Sequence, residues 1–172
     1  MKYISFLSLC VFINLFLVSN ANAQSIAIKG NLSYSSIGEV ETSFITPGIS
    51  LEGRAGQHWS IGADIGFGKN GTFSMFHFSP ALKYYFGRSL RSFYLGAGID
   101  AIRLKRENGG PIGYPFEDEN ARSGIAAGLQ VMLGAQTIIS NHIVLGFQLA
   151  AGYAPGIDSG IFHPLFSAGY VF

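Results

Sequence analysis

Bulky hydrophobic residues alternate with small or polar residues along most of this chain. The alternation has a period of two and falls into eight segments, which are residues 26–34, 45–53, 59–67, 76–86, 93–101, 125–135, 143–153 and 166–172. A period of two is typical of β-strands whose two faces meet different surroundings, and no stretch shows the 3.6-residue period of a helix. The pattern therefore predicts an all-β fold with eight strands.

The two faces of the predicted strands differ in size and in charge. The bulky face contains Trp59 and many phenylalanines but no Asp, Glu, Lys or Arg. The other face is rich in glycine and carries the ionisable side chains, which are Lys29, Glu52, Asp64, His77, Lys83 and Asp100. A soluble, lipocalin-like barrel would point its bulky face inward. Because the interior of an eight-stranded barrel is only wide enough for a filling of side chains, the bulky set does not fit there.

We therefore expect a closed eight-stranded antiparallel up-and-down transmembrane β-barrel whose bulky face contacts lipid. Short connections alternate with mostly longer ones, as in outer-membrane barrels, where the periplasmic turns are short. This places both termini on the periplasmic side. Aromatic residues gather near both ends of the strands, as they do at the two lipid–water interfaces. The barrel domain is expected to span residues 24–172.

Residues 1–23 have the layout of a cleaved secretory signal peptide. A basic start is followed by an apolar run and then by small residues, so cleavage is expected between Ala23 and Gln24. The one cysteine, Cys10, lies in this segment. Removing Lys2 from the 11 basic residues leaves ten, which balance the 10 acidic ones. A neutral chain of this kind gives no electrostatic reason to bind nucleic acid.

The inward charges allow two interpretations. They line a selective pore, or they pair with one another and fill a closed lumen. We favour the second, because buried charges must be paired and eight strands leave no aqueous bore. Pro47 and Pro80 fall inside strands, so a β-bulge is expected at each. Ile138 and Ile139, in a supposed short turn, indicate that the neighbouring strands extend further.

Few residues suggest catalysis or metal binding. His77 and Ser79 resemble the His-x-Ser element of outer-membrane lipid A deacylases, but Pro80 follows them and no acidic residue precedes Asp100 on the next strand. A hydrogen-bonded pair in the lumen is the better interpretation, and no catalytic residue, metal ligand or cofactor is expected. The remaining candidates are assigned to solvated loops or turns; they are Glu117, Asp118, Glu119, His58, His142 and His163.

The signal peptide, the segments "HFSPALKYYFG" and "FYLGAGIDA", and the terminal Tyr170 and Phe172 resemble the small outer-membrane β-barrel family of Gram-negative bacteria, the OmpA/OmpX-type, OmpW-like and porin-like group. The resemblance implies that Tyr170 and Phe172 are read by the barrel-assembly machinery and that outer-membrane lipid surrounds the barrel. Because the family includes adhesins, structural anchors and small-solute pores, the resemblance implies location rather than activity; our first hypothesis is a non-enzymatic structural or surface-interaction role through the loops, mainly residues 105–122. A narrow pore for small solutes and a lipid A-modifying hydrolase are the alternatives, and the extracellular partner is undetermined.

Overall fold

The computed structural model describes residues 25–37, 42–71, 73–106, 123–155 and 159–172. They form a closed barrel in which each strand pairs antiparallel with the next and the last pairs with the first. The strands are β1 (Ile26–Ile37), β2 (Thr42–Arg54), β3 (Trp59–Asn70), β4 (Phe73–Tyr85), β5 (Ser92–Arg106), β6 (Ser123–Ile139), β7 (Ile143–Ala154) and β8 (Ser159–Val171). The predicted fold class is confirmed. Within these ranges, no helix has the length and apolar character needed to cross a membrane.

The strands are long enough to cross a bilayer. They range from 12 residues in β1 to 17 in β6, whereas a tilted membrane-spanning strand needs about 9–11. Closure of the barrel pairs β1 with β8 and leaves no free sheet edge. The eight strands therefore form a closed ring of paired neighbours, which is the arrangement that hydrocarbon surroundings require.

The bulky face points outward, as the alternation predicts. At the middle of β6, Val131 is 66% exposed, whereas its neighbour Gln130, which points inward, is 6% exposed. Exposed aromatic residues form two bands on the outer surface. One band lies near the short turns and contains Trp59, Tyr84, Phe86, Phe93, Tyr170 and Phe172. The other lies near the opposite end and contains Tyr34, Phe67, Phe76, Tyr153 and Phe162. We call these the turn end and the loop end of the barrel.

Pro80 is accommodated without the bulge that the sequence predicts, and at Pro47 the register to β1 is unshifted while the pairing to β3 begins one residue later, at Gly48. The β1–β2 register runs unshifted through Pro47, and the β4–β5 register is the same on both sides of Pro80. In an antiparallel pair, the N–H and C=O groups of one residue face the same neighbouring strand. Pro80 keeps its pairing with Ala63 of β3, and its missing N–H interrupts only the ladder to β5. One proline therefore opens a gap in one ladder without adding a residue.

Three connections refine the predicted boundaries. β6 continues to Ile139, so the first part of the predicted short turn between β6 and β7 belongs to the strand, as Ile138 and Ile139 indicate. Gly71 has φ 56° in the tight connection after β3, a left-handed conformation that suits glycine and is typical of a turn with the sequence Asn70-Gly71. β8 begins at Ser159. Residues 159–163, which lie outside the last strand predicted from the sequence, therefore belong to β8.

Candidate functional site

The inward side chains of all eight strands meet in the lumen of the barrel. Lys29, Glu52, Asp64, His77, Lys83 and Asp100 all point there, and each is at most 7% exposed. The structure divides most of them between two clusters. The ionic cluster lies nearer the turn end and is centred on Glu52, while the histidine cluster lies nearer the loop end and is centred on Asp100.

The ionic cluster is organised around the single carboxylate of Glu52. Lys29 Nζ lies 2.6 Å from Glu52 Oε2, and Lys83 Nζ lies 3.2 Å from the same atom. The hydroxyls of Ser60 and Tyr85 donate to the other oxygen, Oε1, at 2.5 and 2.6 Å. Both oxygens of the buried carboxylate are therefore satisfied, which is the condition under which a buried ion pair is tolerated.

Residues that were not singled out in the sequence complete this cluster. Lys29 also donates to Gln136 Oε1 at 2.9 Å. The Lys83 ammonium lies 4.9 Å from the centroid of the Tyr94 ring, and the Tyr94 hydroxyl donates to Gln148 at 2.9 Å. Tyr94 and Gln136 lie at inward positions of β5 and β6, so the alternation alone would have placed them in the lumen.

Asp64 shares the lumen without joining the cluster directly. Its side chain points inward from β3, and its residue is 7% exposed. Among the described residues it forms no ion pair within 4.0 Å. The structure therefore brings Lys29, Glu52 and Lys83 into contact and leaves Asp64 apart from them.

The histidine cluster joins strands from opposite sides of the barrel. His163 Nε2 of β8 lies 2.9 Å from Asp100 Oδ2 of β5, and its Nδ1 lies 2.6 Å from the hydroxyl of Ser35 of β1. Ser79 donates to the other oxygen of Asp100. The interpretation of His163 as a loop residue is wrong, because it occupies an inward position of β8 and is 6% exposed.

His77 lies beside this cluster but is not bonded to it. Its Nδ1 is 3.9 Å from Asp100 Oδ1, and neither ring nitrogen has a hydrogen-bond partner among the described residues. Its ring stacks on that of His163, with the centroids 5.7 Å apart and the planes 20° apart. A nitrogen lone pair lies in the plane of its ring. Because the two rings are stacked and nearly parallel, their lone pairs do not point to one common position where a metal ion could bind. Among the described residues, no three side chains form a grouping that suits a metal.

Ser35, His163 and Asp100 have the connectivity of a hydrolase triad, but their position is unlike that of one. Ser35 is fully buried, and its hydroxyl faces the lumen rather than the outer surface. The prediction of a hydrogen-bonded pair between His77 and Ser79 is wrong. The Ser79 hydroxyl donates to Asp100 instead, and neither nitrogen of His77 has a partner among the described residues. A triad needs a nucleophile that substrate can approach. Here the hydroxyls satisfy the buried carboxylate and imidazole.

Apolar residues close the lumen beyond both polar clusters. Toward the loop end lies a buried group made of Ile37, Phe44, Met75, Ile102, Leu104, Ala126, Ala154 and Ile161. Toward the turn end lies a second group, made of Ala27, Leu90, Val144 and Val171. The polar clusters are thus held between two hydrophobic layers.

Leu90 closes the turn end in an unexpected way. It belongs to the connection between β4 and β5, which the sequence presents as a simple short turn. The structure turns its side chain under the barrel, where it is 1% exposed, with φ 66°. A left-handed conformation is costly for leucine. Burial of its side chain against Ala27, Val144 and Val171 compensates for that strain.

The remaining predicted positions are partly described. Tyr170 and Phe172 lie on the outer surface at the turn end with their ring centroids 4.9 Å apart, and the Phe172 N–H donates to the Ile26 carbonyl at 2.9 Å. Ala23 and Gln24 lie outside the described residues. So do Glu117, Asp118 and Glu119, together with most of the 105–122 connection.

Comparison with known proteins identifies the family. Residues 8–159 match the family model described as "Protein of unknown function (DUF3575)". The chain belongs to this family. No curated protein matches the sequence. Membership in DUF3575 carries no assigned activity, so the function must be argued from the structure.

Solved structures similar to this DUF3575 protein are small outer-membrane barrels. The N-terminal β-barrel domain of Pseudomonas aeruginosa OprF superposes with a TM-score of 0.60 at 10% identity, covering 87% of this chain and 99% of that domain. Neisserial surface protein A gives 0.57 at 15% identity, covering 86% and 94%. Ail of Yersinia pestis gives 0.55 at 12% identity, covering 86% and 98%. At these identities the likeness shows the fold alone, and it confirms the predicted resemblance to the OmpA/OmpX-type barrels.

The ionic cluster leads to a prediction about stability. Glu52→Gln removes the carboxylate that neutralises two buried ammonium groups, so we expect the free energy of unfolding to fall by about 3–5 kcal/mol. Asp64→Asn is the matched control, since Asp64 is also buried in the lumen but has no ion pair within 4.0 Å among the described residues. Urea unfolding in lipid vesicles, followed by Trp59 fluorescence, measures both. Equal losses in the two variants would show that the contacts at Glu52 are not what stabilises the lumen.

The two stacked histidines give a second, matched pair of variants. His163→Leu leaves Ser35 and Asp100 without their shared partner, so we expect it to cost about 1–3 kcal/mol more than His77→Leu, which removes no hydrogen bond within the described residues. The same unfolding experiment measures the difference. If His77→Leu is the more damaging change, the bonding pattern of the histidine cluster is wrong.

Proposed function

We propose that this DUF3575 protein is a non-enzymatic integral outer-membrane barrel with a closed lumen. Its role is structural or lies in surface interaction through the connections at the loop end, mainly residues 105–122. Outer-membrane lipid is its permanent partner, and no cofactor takes part.

The observation that carries this proposal is the filling of the lumen. A conducting pore needs a continuous wet path, whereas here Lys29, Glu52 and Lys83 bond to one another and the lumen is closed by two apolar layers. The side chains that a selective pore would present to passing ions, Lys29 and Lys83, both bond to Glu52. This arrangement favours the structural role over the narrow pore.

The direction in which the polar residues point argues against a lipid-modifying enzyme. Acyl chains of a lipid substrate would lie against the outer surface, where the exposed side chains of the strands are mainly apolar. His77, Ser79 and the triad-like set all face the lumen instead. A hydrolase of that kind needs its nucleophile and base within reach of the substrate ester.

We further propose the route by which the protein reaches the outer membrane. Residues 1–23 direct export and are removed between Ala23 and Gln24, and the turn end with both termini faces the periplasm. Tyr170 and Phe172 are the residues that the barrel-assembly machinery reads. Their exposed position on the last strand supports this role, because both rings are accessible from outside the barrel.

A planar-bilayer recording tests the closed lumen. We expect the folded protein to give no steady single-channel steps. The triple variant Lys29→Ala/Glu52→Ala/Lys83→Ala removes the ionic cluster as a unit, and we expect it to give no steady steps either, because the apolar layers at both ends of the lumen remain. Heat-modifiable gel mobility checks that both proteins are folded. Steady steps from the unmodified protein would favour the pore and contradict the proposed role.

A further inference from the structure

Three arginines line one pocket at the turn end of the barrel. The pocket has a volume of about 340 Å³, within the usual range for sites that hold small ligands. The pocket is lined by the end of β2, by the turns that follow β4 and β6, and by the last residue of the chain. Its lining includes Arg54, Arg88, Arg91, Ile138, Asn141 and Phe172. We call it the arginine pocket.

The backbone holds these arginines in place. Arg88 and Arg91 face each other across the turn between β4 and β5, where the Arg91 N–H donates to the Arg88 carbonyl at 3.0 Å. Arg54 Nε donates to the Gly56 carbonyl at 3.0 Å in the preceding turn. The two turns are joined, because the N–H of Ser89 donates to Gln57 O at 2.8 Å and its hydroxyl to Gly56 O at 3.2 Å.

Leu90 fixes the same turn from below. Leu90 lies between Arg88 and Arg91 in the chain, and its side chain is buried in the apolar layer, so it anchors the backbone of the turn that carries both arginines. Leu90 holds this position with a φ of 66°, which is a strained conformation for a leucine. A site whose charged groups are held before the ligand arrives binds more tightly, because less conformational entropy is lost on binding.

No Asp or Glu side chain lies among the described residues that line the arginine pocket. The acidic residues that the structure describes are Glu52, Asp64 and Asp100, and all three are buried in the lumen. Among the described residues, neither Arg88 nor Arg91 takes part in an ion pair. The pocket therefore presents arginine charge toward solvent at the membrane surface.

We propose that the arginine pocket binds a phosphate group at the membrane surface. Guanidinium groups match phosphate oxygens in geometry and charge, and Asn141 adds a neutral hydrogen-bonding group to the lining. Ile138 and Phe172 give the pocket an apolar side next to the aromatic band. In a phosphate that carries acyl chains, the phosphate group would contact the arginines and the acyl chains would contact the apolar side of the pocket.

The phosphate has two possible sources. One is the headgroup of an anionic phospholipid such as phosphatidylglycerol, and this source rests on the proposed orientation, which places the turn end in the phospholipid leaflet. The other is a free phosphate in the surrounding solution. Both sources would contact the same three arginines.

Lipid retention and phosphate titration test the site on the full barrel. Native mass spectrometry of the detergent-solubilised protein measures the retention of phosphatidylglycerol against phosphatidylcholine, and the NMR signals of the arginine Nε–H groups follow a titration with inorganic phosphate. We expect a preference for phosphatidylglycerol. Arg88→Gln/Arg91→Gln should weaken binding about fivefold for each arginine removed.

The control is the double variant Arg103→Gln/Lys105→Gln. It removes the same charge from exposed positions near the loop end, and we expect it to leave binding unchanged. Preference for phosphatidylglycerol without an effect of inorganic phosphate assigns the site to lipid, and a phosphate effect without lipid preference assigns it to free phosphate. Equal retention of both lipids with no phosphate effect, or equal losses in the two double variants, would overturn the proposal. Either result leaves the conductance test of the closed lumen unaffected.

Discussion

The structure depends on one constraint, which is closure of the β-ladder with only eight strands. In hydrocarbon every backbone N–H and C=O group needs a partner within the protein, and a closed barrel supplies one for each strand. With eight strands, the interior is only as wide as the side chains that fill it. Inward residues therefore contact strands on the far side of the lumen, and His163 of β8 reaches Asp100 of β5.

The chemistry of the lumen follows from that narrowness. A buried carboxylate without partners would be costly, and both Glu52 and Asp100 are surrounded by donors from several strands. The apolar layers at the two ends keep these networks away from water. A lumen filled in this way leaves the two ends as the parts of the molecule suited to interaction, and the turn end carries the three arginines of the arginine pocket.

The alternation predicted the fold, the outward face and the inward charges, because a strand has a strict period of two and a membrane barrel separates its faces by solvent. The alternation did not predict the first residues of β8, because that strand begins with small residues. The segment from Ser159 to His163 begins with Ser-Gly, so the first part of β8 was assigned to a loop and His163 was missed. Alternation continued backward from Phe166 would have placed His163 inside.

Contacts across the lumen were beyond the reach of the sequence. Which residues meet depends on the stagger between strands, and the pairing of Lys29 with Gln136, 107 residues apart, has no local pattern. The inserted Leu90 was missed for a related reason, since a left-handed leucine is unfavourable on its own and occurs only because the lumen has room for its side chain. At Pro80 the sequence predicts a bulge that the structure does not contain. The missing N–H leaves a gap in the ladder to β5, and the register is the same on both sides of it.

Spin labels at two neighbouring positions of β6 test the central claim, which is that the bulky face contacts lipid and the slender face fills the lumen. The segment expected to remain after cleavage has no cysteine, so single cysteines at Val131 and at Gln130 can be labelled separately. In lipid vesicles, the account predicts that the label at Val131 is relaxed by membrane-dissolved oxygen and shielded from a water-soluble nickel complex, whereas the cysteine at Gln130 resists labelling unless the protein is unfolded. Ready relaxation of the Val131 label by nickel, together with free labelling at Gln130, would contradict it.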